Sequence, residues 1–192
     1  MRSLVVIMLA AVTAGSTGCT TAIKQTYYGV TGAQGKFYEL KLVDPNVLVT
    51  YKSCRVEPFT NALGEHVPQD VIAEVNDQTP KMLTESRLFY PEGKRLLIKG
   101  QIVHFTGKSG LKGSAGSFIG GSEDCVCRVQ LLDAKSGDEI GEAICWGIVK
   151  SAVRRGSGEL GAGVGKSVSS WVEKRLPKEV SEARKEELKS KE

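Results

Sequence analysis

Five side chains in this sequence are thiols: Cys19, Cys54, Cys125, Cys127 and Cys145. A thiol can close a disulfide, hold a metal or attack a substrate, and its spacing decides which. Cys125 and Cys127 stand two apart on a run that reads as a strand, so both point to one face. A hairpin turning at Ala134 to Asp138 sets positions summing to 272 opposite each other. Cys127 then faces Cys145, and Cys54 is left for Cys125. An opposed pair at a non-hydrogen-bonded rung is close enough to bridge, for about 2–4 kcal/mol. Buried free thiols fit the same spacing. Zinc fits it less well, because structural sites use C-x₂₋₄-C knuckles on turns. No metal and no cofactor is expected.

The other chemistry-bearing groups are sparse. Gly163-Val164-Gly165-Lys166-Ser167 has the end of a phosphate-binding loop, yet the motif needs glycine where Leu160 stands, and no strand feeds it. Small residues at Gly161, Gly165 and Ser169 fit close backbone packing instead. General-base work would fall to His66 or His104. His66 precedes a helix beside Glu65. His104 continues the face of Leu96, Ile98 and Ile102 and reads as a rim histidine. No serine sits in a G-x-S-x-G elbow. Asp44, Asp124 and Asp133 border strands, where turn and cap duties account for them. No catalytic residue is assigned, and an enzyme is not expected.

Cys19 stands apart from the other four. Arg2 precedes nine apolar residues, Leu4 to Val12, followed by small residues. Nine are too few to cross a hydrocarbon core, which needs about 20, so residues 1–18 read as a signal peptide. Ser16-Thr17-Gly18-Cys19 resembles the lipobox of bacterial lipoproteins, with Ser16 where the family prefers Leu. The resemblance implies that Cys19 becomes the lipid-modified first residue of the mature chain. Lipidation leaves four cysteines, an even number for an oxidising compartment. Two or more acyl chains also hold a protein stably where one does not. Thr20, in place of the Asp that retains such proteins at the inner membrane, implies the outer membrane, facing the periplasm. The alternative is an ordinary cleaved signal, cut near Gly15 or Gly18, giving a soluble periplasmic protein with a free Cys19.

Along the chain, residues 19–35 read as a lipidated N-terminus and tether, 36–176 as one domain and 177–192 as a charged tail, exposed or frayed. Tyr38, Leu40 and Leu42 alternate with Glu39 and Lys41, the pattern of a half-buried strand. Asp44-Pro45-Asn46 is turn chemistry, and Val47 to Val56 reads as a second strand. His66 to Phe89 has helical spacing, which Pro80 should kink or split. Leu96, Ile98 and Ile102 mark a third strand ending near Thr106, before a glycine-rich loop from Gly107 to Ser122. Cys125 to Leu132 and Ile140 to Val149 form two further strands. A glycine-rich run from Gly156 leads into a helix marked by Val164, Val168, Trp171, Val172 and Leu176. Trp146 and Trp171 are expected between sheet and helix. This order predicts an α+β domain, a mainly antiparallel sheet with helices on one face.

The chain has 192 residues, 41% hydrophobic and 25% charged, with net charge +4. Residues 19–172 hold 18 basic against 16 acidic side chains, which gives no field for nucleic acid. Several stretches together resemble a group of uncharacterised bacterial envelope lipoproteins. Leu96-Leu97-Ile98-Lys99-Gly100-Gln101-Ile102 fits their L-x-x-x-G-x-I strand, and Leu132-Asp133-Ala134-Lys135-Ser136-Gly137-Asp138 their L-D-A-x-[ST]-G-[DE] turn. The resemblance covers residues 47–176 and carries over no site residues. The group has no agreed activity, so the resemblance implies location and architecture alone. The chain itself reads as an anchored, periplasm-facing binding or assembly component, with an envelope protein as candidate partner. A small periplasmic hydrolase is the competing class.

Overall fold

The computed structural model describes residues 33–107, 122–150 and 159–191. The signal peptide, Cys19, the tether as far as residue 32, the loop at 108–121 and the glycine run at 156–158 lie outside the described residues. In chain order the elements are β1 (Gln34–Lys41), α1 (Pro45–Val49), β2 (Ser53–Val56), β3 (Thr60–Asn61) and a 3₁₀ turn (Gly64–His66). Then come α2 (Gln69–Glu85), β4 (Arg95–Thr106), β5 (Ser122–Asp133), β6 (Glu139–Lys150), α3 (Glu159–Arg175) and α4 (Lys178–Lys189).

The strands form one six-stranded sheet in the order β1-β6-β5-β4-β2, with β3 also on β4. The first four are antiparallel neighbours, while β2 and β3 run parallel to β4. The domain is α+β, as the element order predicts. The β5–β6 hairpin closes one residue short of its sequence reading: Asp133, not Ala134, stands opposite Asp138, and a register shift between Leu131 and Leu132 restores the pairs summing to 272. Asp133 N–H donates to Asp138 C=O at 2.9 Å, Gly137 N–H to Asp133 C=O at 2.8 Å, and Gly137 takes φ +80°. That left-handed conformation is cheap only for glycine. Cys127 and Cys145 then fall on one rung.

One sheet face carries the core. Leu96, Ile98 and Ile102 of β4, Cys125, Cys127, Val129 and Leu131 of β5, and Ala143, Cys145 and Val149 of β6 are all buried. Above them α3 lays down Leu160, Val164, Val168, Trp171 and Val172, and α2 adds Val71, Val75 and Leu83. The helix lies unusually near the strands because glycines meet. A Cβ on Gly147 would fall 2.4 Å from the Leu160 carbonyl oxygen, and one on Gly35 would fall 2.5 Å from the Ser167 nitrogen. The expectation of close backbone packing around Gly161 and Gly165 holds, and Gly163 shares it.

Several elements differ from their sequence reading. Val47 to Val56 is not one strand. Asp44 accepts the Asn46 N–H at 2.8 Å and Pro45 sits at the first helical position, so the chain makes the short helix α1 before β2 begins at Ser53. Pro80 lies inside the single helix α2 rather than splitting it. The charged tail is neither frayed nor wholly exposed: it forms α4, and Arg184 is buried. Trp171 is buried as expected, but Trp146 alternates with Cys145 and lies on the opposite face of the sheet.

The largest difference is in β1. Its apolar alternation is real, but it faces away from the core. Tyr38, Leu40 and Leu42 are 65%, 50% and 71% exposed. The inward position belongs to Glu39, whose carboxylate accepts Trp171 Nε1–H at 2.8 Å and Arg175 Nε–H at 2.6 Å. The buried indole and the half-buried Arg175 guanidinium share this one acceptor, and that need overrides the burial of Tyr38 and Leu40.

Candidate functional site

The four cysteines within the described residues are free thiols. The pairing of Cys54 with Cys125 is excluded by distance. Cys54 lies beside Leu96 and Cys125 opposite Phe105, nine positions apart along β4. That is about 25–30 Å, where a disulfide needs Cα atoms within about 7 Å. Cys127 and Cys145 face each other as expected but are not bonded, and the Cys127 sulfur lies 3.9 Å from that of Cys125.

Cys125, Cys127 and Cys145 are wholly buried. Burial pushes the Cys145 thiol up to about 12 and the half-buried Cys54 up to about 11. The hydrogen bond with Cys125, together with burial, raises Cys127 well above its ordinary value. Thiols so held are poor nucleophiles, since attack needs an accessible thiolate. Iodoacetamide at pH 8 should therefore leave Cys125, Cys127 and Cys145 unmodified in the native protein and alkylate all four after denaturation without reductant. Peptide mass mapping reads the result. A Cys127–Cys145 pair that resists alkylation until reduced would contradict it.

The residues of the phosphate-loop run lie inside α3. Lys166 Nζ donates to the Ala33 carbonyl at 3.2 Å, and Ser167 Oγ donates to the Lys36 carbonyl. Both groups tie the helix to β1. His66 is in the 3₁₀ turn. A register shift between Ile102 and His104 sets His104 opposite Val126, so it leaves the face of Ile102 and stands on the outer face, 2.9 Å from Thr106 Oγ1. Among the described residues no group of three or more His, Cys, Asp or Glu side chains is placed to hold a metal.

The densest polar cluster surrounds Asp133. Its Oδ2 accepts Tyr51 O–H at 2.8 Å and lies 3.1 Å from Lys94 Nζ, while Oδ1 accepts the Lys135 and Ser136 N–H groups at 2.8 and 3.1 Å. The Tyr51 hydrogen bond, then the two backbone donors and Lys94, hold its carboxyl far below the usual range. With all its lone pairs engaged, Asp133 shapes the turn and is no general base. The sign of its pH effect follows. A carboxyl lowered on folding adds stability above its unfolded value of about 3.9, and that stability fades as pH falls toward the folded value. Asp133→Asn should lower the urea midpoint most at neutral pH, with the gap to wild type narrowing below pH about 4. A gap independent of pH would refute this.

Two surfaces remain. A half-open groove of about 550 Å³ lies between the end of α2, residues 87–91 and the end of α4, lined by Cys54, Leu83, Phe89, Tyr90, Leu188 and Lys191. Two of its polar side chains share one carboxylate: Tyr90 O–H donates to Glu187 Oε2 at 2.8 Å and Lys191 Nζ donates to Glu187 Oε1 at 2.6 Å. The second surface is the outer sheet face. Its rungs read Lys36, Trp146, Val126, His104 and then Tyr38, Ile144, Arg128, Gln101. Arg128 pairs with Glu142 there. Aromatic, aliphatic and basic side chains thus share one face, and the sequence pattern, read as core, concealed it.

No family model matches this chain, and no curated protein matches it. Solved structures do. The PelC dodecamer from Paraburkholderia phytofirmans aligns at 13% identity with a TM-score of 0.46, over 72% of this chain and 97% of that one. A single-substitution form of that dodecamer gives 14% and 0.47 over the same shares. A structure described as "a putative lipoprotein from Caulobacter crescentus CB15" aligns at 12% identity with a TM-score of 0.32, over 77% of this chain and 96% of that one. At these scores the likeness assigns no activity and no partner to this chain. No helix among the described residues is long and apolar enough to cross a membrane.

Proposed function

We propose that this chain is an envelope protein anchored by lipid at Cys19, facing the periplasm from the outer membrane, and that it binds or assembles rather than catalyses. The observation that carries the reading is the run from Arg2 through Leu4–Val12 to Ser16-Thr17-Gly18-Cys19. A short apolar segment ending in small residues and a thiol is what signal processing and thioether formation require. The non-catalytic half is supported by the placement of the reactive groups. Cys125, Cys127 and Cys145 are buried, the two histidines stand on separate elements, and Asp133 is fully engaged in its turn.

Mass spectrometry of the N-terminal peptide of the mature protein tests it. A diacylated or triacylated Cys19 is the expected result, and Cys19→Ser should leave the protein in the soluble fraction or unprocessed. An unmodified peptide beginning after residue 15 or 18 would replace the anchor with a plain signal peptide, the reading that Ser16 favours.

A further inference from the structure

Among the described residues, the large apolar side chains left exposed are Tyr38, Leu40, Leu42 and Val47, at 65%, 50%, 71% and 40%. All four fall within ten residues of chain. Scattered exposed apolar residues are ordinary, but a concentrated set marks a surface that meets something. Next to them across the ladder stand Ile144, opposite Tyr38, and Trp146, opposite Lys36, both half-buried. Lys36 and Lys41 are exposed in the same strand.

We infer that the outer surface of β1 and the turn after it, residues 36–47, rests on the headgroup layer of a phospholipid bilayer. Tyrosine and tryptophan beside leucine, with Lys36 at the margin, is the side-chain set that partitions to a membrane–water interface: ring and aliphatic groups enter shallowly, and the Lys36 ammonium meets anionic headgroups, while Lys41 Nζ stands 3.2 Å from Glu139 Oε1. A second copy of the chain is the other occupant to weigh, and β1 is poorly made for it. The register shift at Glu39/Lys41 leaves Leu40 as an extra residue, and Lys36 and Lys41 charge the strand. Bulges and edge lysines discourage strand addition. The inference takes its setting from the anchored reading above. Between Cys19 and Ala33 lie fourteen peptide steps, at most about 50 Å even fully extended, so β1 is the first strand that a chain moored at Cys19 brings to the bilayer.

The protein purified with its native N-terminus is reconstituted into phosphatidylethanolamine–phosphatidylglycerol vesicles, with and without brominated acyl chains. Tryptophan is placed on the face by Tyr38→Trp, or Leu42→Trp, and on the opposite edge of the sheet by Arg55→Trp. Flotation reports the anchor, and quenching reports the face. Bromine should quench the emission added at 38 or 42 at least twofold and leave that added at 55 unchanged. Vesicles that float with protein whose probes at 38, 42 and 55 respond alike would overturn the inference while sparing the anchor. Protein that does not float removes both. Sedimentation velocity of the unlipidated Cys19→Ser mature chain covers the other occupant: a dimer abolished by Leu40→Ser/Leu42→Ser would give the face to a second copy and also overturn it.

Discussion

Gly161→Ala will destabilise the domain by about 3 kcal/mol, although by helix propensity alone it should stabilise it. In a helix interior alanine is better than glycine by about 1 kcal/mol. Here the new Cβ would fall 2.2 Å from the Glu74 carbonyl oxygen and 2.8 Å from the Val75 nitrogen, both backbone atoms of α2. No side-chain rotation relieves that contact. The two helices must separate, and separation loosens Val75, Val164 and Val168, all fully buried. Overpacking against backbone sits at the upper end of its usual cost. For a chain of this size the melting temperature should fall by roughly 6–12 °C. Gly163→Ala should behave alike, with its Cβ 2.8 Å from Gly147 Cα and 2.9 Å from the Gln34 carbonyl oxygen. Gly64→Ala is the control. It meets nothing within 4 Å, so only its φ of +59° opposes alanine, for about 1–2 kcal/mol. A melting temperature for Gly161→Ala equal to or above wild type would show that α2 and α3 do not touch through backbone.

The same contact shows how far the sequence could be read. Glycines at 161, 163 and 165 announce close approach, because only a residue without Cβ makes it worthwhile. Which partner each one meets is set by tertiary placement: Gly161 and Gly165 turn to α2, and Gly163 to the sheet. The β5–β6 pairing is legible from Leu131 outward, Cys127 opposite Cys145 included, but the extra residue beside the turn, which sets Asp133 rather than Ala134 against Asp138, is not. The face of β1 was not. Alternation gives two faces and does not say which is inward. The deciding partner of Glu39, Trp171, lies 132 positions away. His104 was misplaced for a related reason: one register shift in β4 moves every later side chain to the other face. These departures from local expectation gather on the outer sheet face, and a surface whose apolar pattern ignores the core is where function is expected. Cys19, the residue carrying the functional reading, is legible only in sequence, as it lies outside the described residues.

Arg184→Ala will cost about 3–5 kcal/mol and release the C-terminal helix, a result that composition argues against. Residues 177–192 are so charged that they read as solvated. Yet Arg184 is 2% exposed, with one terminal nitrogen donating to the Leu88 carbonyl at 2.9 Å and the other to the Val49 carbonyl at 3.0 Å. A planar guanidinium can span two carbonyls of separate segments at once, and its charge survives the downward pull of burial. Its removal leaves the buried Leu88 carbonyl and the half-buried Val49 carbonyl without their donor, at about 1–3 kcal/mol for a buried acceptor, beside a cavity. Arg184→Lys keeps the charge but lacks the fork, so it should recover no more than about half of the loss. The docked α4 also places Glu187 against Tyr90. Limited proteolysis separates the outcomes: the alanine variant should be cut first between residues 176 and 190 while 33–175 stays folded. If instead the tail resists cleavage as in wild type, Arg184 does not hold it, and α4 is secured by Ser181 and Val180 against the body of the domain.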